Sequence, residues 1–179
     1  MWNDTDVPLA IFFTFRCYGT WLHGDERGSV DRHGYNRYGS VRRAPNPNLE
    51  RVMREKLKHP PVIFNAEHRQ VIESTIGEVC LHRGYTLKAV NARTNHFHAV
   101  VSAQCKPEPV RQAFKSYSTR KFRELGLFET HIKPWARRGS RRYLWKPQYV
   151  AAAIEYVLYG QGDVVPAFGD WSDPGEEWD

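Results

Sequence analysis

The sequence predicts an α+β fold in which helices pack on one face of an antiparallel sheet. Two observations lead there. β-rich apolar runs and helical-period runs follow one another in mixed order, and two of the β-rich runs are joined by only four residues, the spacing of a hairpin. The chain has 179 residues, 41% of them hydrophobic, which suits one domain that buries about 70% of its unfolded surface without staples.

Taken in order, Leu9 to Arg16 (Leu-Ala-Ile-Phe-Phe-Thr-Phe-Arg) reads as a strand, and a central one because both faces are apolar. His23 to Asn48 is crowded with Gly, Asn, Pro and Arg and reads as loop, the start of a basic insertion that extends to about residue 62. Within it, Leu49 to Lys58 suits a short polar helix closed by Pro60-Pro61. Asn65 is a natural N-cap for a helix that carries Val71, Ile72, Ile76, Val79 and Cys80 at helical spacing and stops at Gly84. Tyr85 to Asn91 and His96 to Ala103 form the hairpin. Pro107 and Pro109 open a second helix along Val110, Phe114, Tyr117, Phe122 and Leu125, with Gly126 as its cap. Arg142 to Trp145 suits a short strand. Pro147 then opens a final helix with Val150, Ile154, Val157 and Leu158 on its core face, ending before Gly160. Without the insertion and the last helix the order is βαββαβ, a ferredoxin-like antiparallel sheet. The expected layout is one domain over 1–179, with a core of about 9–161, a basic insertion after the first strand, an additional C-terminal helix and an acidic tail over 163–179.

Charge is segregated along this layout. Residues 163–179 hold six acids and no Lys or Arg, so the rest of the chain carries +12 within a total of +6. Such a body attracts a polyanion. The densest stretch, Lys133 to Lys146, has six cations, three aromatics and no acid. Arg137, Arg138, Arg141, Arg142 and Lys146 suit phosphate contacts there, as do Arg42 and Arg43 in the insertion, while Trp135 and Trp145 suit stacking on bases. A solvated strand with partly buried aromatics is the plainer reading of the same stretch. Other classes lose ground. Cys17, Cys80 and Cys105 lie far apart with no Cys-x-x-Cys pair, against a disulfide framework or thiolate zinc site. No run of 18 apolar residues exists and the first residues are acidic, so a soluble cytoplasmic protein with no membrane association is expected. Gly-rich phosphate loops and serine triads are absent.

His96-Phe97-His98 is the sharpest local signal. Side chains alternate along a strand, so both imidazoles share a face with Cβ atoms roughly 7 Å apart, close enough to converge on one metal ion, while Phe97, Ala99, Val101 and Ala103 face the core. Two half-exposed histidines bonded to neighbours are the alternative. A metal held by two imidazoles keeps open positions for phosphate oxygens. The nucleophile is then sought among the nine tyrosines. At about 100° per residue, Tyr117 falls on the apolar face of its helix, whereas Tyr156 falls on a separate stripe with Tyr149, Ala153 and Gly160, away from the core face. Tyr156 is the first choice and Tyr117 the second. A free phenol with a pKa near 10 carries a handicap of about 4 kcal/mol at pH 7, which metal and nearby cations can offset.

This arrangement, with Thr94-Asn95 before the histidines and Tyr156-Val157 on the last helix, resembles the HUH single-tyrosine transposases. The first strand, Phe12-Phe13-Thr14-Phe15-Arg16, looks like that of their bacterial subgroup, the REP-associated tyrosine transposases. The resemblance runs from about Leu9 to Gln161. It implies that His96 and His98 bind Mg²⁺ or Mn²⁺ and that Tyr156 attacks single-stranded DNA, leaving a 5′-phosphotyrosine and a free 3′-OH. Many relatives place a Gln or Asn four residues after the tyrosine as a further metal ligand; here that position is Gly160, and Gln161 follows it. The partner implied is DNA carrying a hairpin, with a possible homodimer and a nucleoid-associated location. A catalytically silent single-strand binding module and a water-using metal hydrolase are the competing readings.

Overall fold

Residues 10–17 send large apolar side chains in both directions, and the strand they form lies in the middle of the sheet. In this computed structural model, which describes residues 7–29 and 42–160, the elements are β1 (Ala10–Cys17), α1 (Pro47–Glu55), α2 (Ala66–Arg83), β2 (Thr86–Ala92), β3 (His96–Ser102), α3 (Pro107–Glu124), β4 (Trp135–Leu144) and α4 (Pro147–Tyr159). The sheet order is β2-β3-β1-β4 with all neighbours antiparallel, which is the ferredoxin-like order expected. Residues 30–41 of the basic insertion and the acidic tail over 163–179 lie outside the described residues. Among the described residues, no helix is long and apolar enough to cross a membrane.

The two sheet faces bury different amounts. On one face Phe13, Phe15, Phe97 and Val101 meet Ile72, Ile76 and Val79 of α2 and Val110, Phe114 and Phe122 of α3. Phe15 stacks on Phe97 at 4.2 Å. Each fully buried side chain of this size contributes about 1.5–3 kcal/mol, so this face dominates stability. The other face is smaller: Ala10, Phe12, Ala89, Val100 and Leu144 meet Ala153, Tyr156 and Val157 of α4.

Local chemistry sets the ends. The Asn65 side chain accepts from the His68 N–H, His68 accepts from the Asn65 N–H, and Gly84 closes α2 at φ 70°. Three expectations are corrected. α1 starts at Pro47, because Asn46 caps it by accepting from the Leu49 N–H and proline suits the first helical position. β4 begins at Trp135, well before Arg142, because β1 offers a long free edge and ladder bonds override the weak β-propensity of an arginine-rich run. Gly139 permits that approach: a Cβ there would lie 2.5 Å from the Thr14 carbonyl oxygen. Finally, the stripe that α4 turns to the sheet includes Ala153 and Tyr156, while Leu158 is 40% exposed. The small Ala153 lets the helix lie close to the sheet there.

Candidate active site

The β3 pleat turns His96 and His98 toward the α4 face, and pairing brings partners beside them. Thr14 is opposite His98 and Arg16 is opposite His96 on β1, Asn91 is opposite His98 on β2, and Arg142 on β4 is opposite Phe12. The two imidazole rings lie 4.7 Å apart, edge to face. Each ring is held at Nδ1. His96 Nδ1–H donates to Asn95 Oδ1 at 2.6 Å, and His98 Nδ1 bonds the Thr14 hydroxyl at 2.9 Å. With Nδ1 engaged on both rings, their orientation is fixed, the usual way a protein aims histidines at a ligand.

His98 is buried and stacks on Phe12 at 5.1 Å. Burial, and then the neighbouring His96, push its pKa down to about 3; Arg16 and Arg142 add to the effect, while a backbone hydrogen bond with Phe13 opposes it. The ring is therefore neutral at physiological pH, as a metal ligand must be. Among the described residues no third His, Cys, Asp or Glu joins the pair. Two imidazoles with oriented rings, that of His98 neutral, would suit a divalent cation that keeps positions open for oxygen ligands.

α4 carries Tyr156 onto this face. Its ring lies 5.5 Å from that of His98 and 6.1 Å from that of Phe12, both edge to face, and the residue is 8% exposed. The expectation that its stripe avoids the core is wrong in a useful way: the face it packs on is the histidine face. Tyr117, the second choice, is not brought to this face. It lies on α3, across the sheet from the imidazoles, packed against the larger core with the Arg120 guanidinium 4.6 Å from its ring.

The arginine-rich strand divides by parity. Arg142 is buried on the histidine face. Arg141 points the other way and pairs with Glu108 of α3 at 3.4 Å, its side chain only 9% exposed, so its expected place in a phosphate-binding surface is corrected to a structural one. Trp135 is also corrected. Its indole is buried among Phe64, Phe97 and Phe122 and donates to the Lys115 carbonyl and the Thr119 hydroxyl, leaving no face for a base. Arg137, Trp145 and Lys146 are exposed, and Lys146 lies over the Tyr149 ring. Arg42 and Arg43 are exposed in the insertion, where Arg43 bridges Ser29. The Arg138 side chain and Gln161 lie outside the described residues. Composition and spacing leave Thr14, Asn95 and Arg16 without roles. A signal exists for two of them, since Thr14 and Arg16 share one parity in an otherwise apolar run.

An antiparallel α+β domain that presents two oriented histidines and a helix-borne tyrosine on one face defines the class. A family model described as "Transposase IS200 like" matches residues 47–159, well over half of the chain. The protein belongs to the IS200-like transposase family, whose activity is DNA transposition. It is similar to a solved structure of a REP-associated tyrosine transposase bound to a REP hairpin, with 11% identity and a TM-score of 0.49 over 93% of this chain and 91% of that one. No curated protein matches it.

Proposed function

We propose that this protein is a metal-dependent transposase that cleaves and rejoins single-stranded DNA through a 5′-phosphotyrosine intermediate on Tyr156. The observation that carries the reading is the Tyr156 ring lying against His98, one of two histidines whose Nδ1 atoms are already engaged. His96 and His98 would hold the cation, Mg²⁺ or Mn²⁺, and Gln161 is the candidate further ligand. A cation so bound supplies Lewis-acid polarisation of the phosphate. The rest falls to the chain. Tyr156 gives up its phenol proton as Oη bonds to phosphorus and the P–O3′ bond breaks, and the departing O3′ takes up a proton to become a 3′-OH, so no net proton is gained or lost. Attack by a 3′-OH on the phosphotyrosine reverses the step, so the DNA is rejoined without an external energy source. Thr14 and Asn95 keep the rings aimed, and Arg142 adds positive potential on the same face.

The test is incubation of the full chain with a hairpin-bearing single strand from the DNA flanking its gene, in Mn²⁺, followed by denaturing electrophoresis and mass spectrometry. A covalent adduct on Tyr156 is expected, and Tyr156→Phe is expected to abolish it while retaining binding. Binding without any adduct would leave a silent DNA-binding module, and cleavage without an adduct a hydrolase that uses water; either result overturns the proposal.

A further inference from the structure

At the end of β1, Arg16 faces the same side of the sheet as His96, its direct cross-strand partner. The chain then turns into the insertion, and Trp21 comes back to cover it: the Arg16 guanidinium sits 3.5 Å from the centre of the indole ring. Arg27 and Arg42 approach the same ring at 4.4 and 5.3 Å. These two have partners. Arg27 takes both oxygens of Asp25, at 2.7 and 2.6 Å, and also donates to the Thr20 carbonyl; Arg42 donates to the Arg27 carbonyl. Asp25 is thus already committed. Among the described residues, no group accepts a hydrogen bond from the Arg16 guanidinium.

A largely desolvated cation with two like charges beside it, and among the described residues only Asp25, already held by Arg27, as an opposing charge, is in an unfavourable place. Burial, then Arg42 and Arg27, lower the Arg16 pKa to about 10, yet it stays protonated at neutral pH. The surrounding structure nevertheless holds it in place. The Trp21 indole N–H donates to the Gly28 carbonyl at 2.8 Å, and Gly28 adopts φ +74°, where an added Cβ would meet Arg42. Cation–π attraction to Trp21 offsets part of the cost and engages the face of the guanidinium rather than its N–H groups. Guanidinium edges of this kind are matched by phosphate oxygens.

We propose that Arg16 grips a phosphodiester oxygen of the DNA strand crossing the histidine face, and that Trp21 is the positioning residue that holds the guanidinium there. The inference rests on the proposed function only for the path of the strand across that face. It assigns a phosphate contact level with His96 at the insertion end of β1, whereas Arg142 lies level with Phe12, nearer the other end of that strand.

The test is fluorescence anisotropy of the full chain with a labelled oligothymidylate, across salt concentrations of about 50 to 200 mM. Arg16→Gln is expected to weaken binding roughly ten- to a hundredfold and to reduce the steepness of the log–log salt dependence by about 0.7, the value for one phosphate contact on a single strand. Arg16→Lys keeps the charge, so the slope is expected to return to the wild-type value with affinity only partly recovered. Trp21→Leu is expected to weaken binding with the slope retained. A fold defect alone lowers the melting temperature without this pattern, and if Arg16→Gln does not fold, Arg16→Lys and Trp21→Leu still carry the comparison. Wild-type affinity and slope in Arg16→Gln, weaker binding at an unchanged slope, or no binding of the oligonucleotide by the wild-type chain would each overturn the proposal. Because this readout needs no cleavage, a reduced slope without any tyrosine adduct would keep the Arg16 site while the transposase chemistry fell.

Discussion

His98 is the residue on which the site turns, since it touches Phe12, Thr14, His96 and Tyr156 at once. Its hydrogen bond to Thr14 through Nδ1 fixes the orientation of the ring beside the tyrosine. Thr14→Val preserves shape and removes that bond, so Mn²⁺ affinity measured by calorimetry is expected to fall about tenfold or more, while the melting temperature moves by only a few degrees. The same burial gives a pH signature in the chelated protein. The folded pKa of about 3 lies below the ordinary 6.5, so the unfolded chain binds the extra proton first. The stabilisation is complete above about pH 6.5 and is lost progressively as pH falls toward the folded value. Urea unfolding is expected to show a decline through that window in the wild type and a flatter profile in His98→Gln.

At the scale of elements, β4 joins the structural and functional halves of the sheet. Its alternation sends Arg141 to Glu108 of α3 and Arg142 to the histidine face, so the strand's register against β1 decides which arginine meets which surface. Gly139 is where that register is tightest. Gly139→Ala would press a methyl group against the Thr14 carbonyl, on the residue that orients His98. It is expected to cost about 1–3 kcal/mol of stability by denaturant unfolding and to weaken Mn²⁺ binding as well. An unchanged unfolding midpoint would show that the strand pair relaxes freely there.

For the whole molecule, the question is whether one chain completes a site. α4 packs Tyr156 onto the sheet of its own chain, so under the proposed function the tyrosine would act beside the histidines of the same subunit. Mixing Tyr156→Phe protein with His98→Ala protein is therefore expected to restore no adduct formation; recovery toward half of the wild-type level would mean that the tyrosine is exchanged between copies. Under the proposed function, the positive body would draw a polyanion toward the face where Arg16 and Arg142 lie.

What the sequence determined by itself was whatever depends on neighbours along the chain. Helix caps at Asn65 and Gly84, proline starts at Pro107 and Pro147, and the shared face of His96 and His98 all follow from local geometry, and the element order led to the sheet topology. The tertiary structure alone decided matters that depend on distant partners. Trp135 reads as a stacking aromatic until three phenylalanines from elsewhere enclose it. Arg141 and Arg142 read alike until pairing with β1 sends them to opposite faces. Tyr156 reads as lying off the core face of its helix, because hydrophobic periodicity cannot reveal that a second, smaller core lies across the sheet. Periodicity records which side of an element is buried; only packing determines what it is buried against.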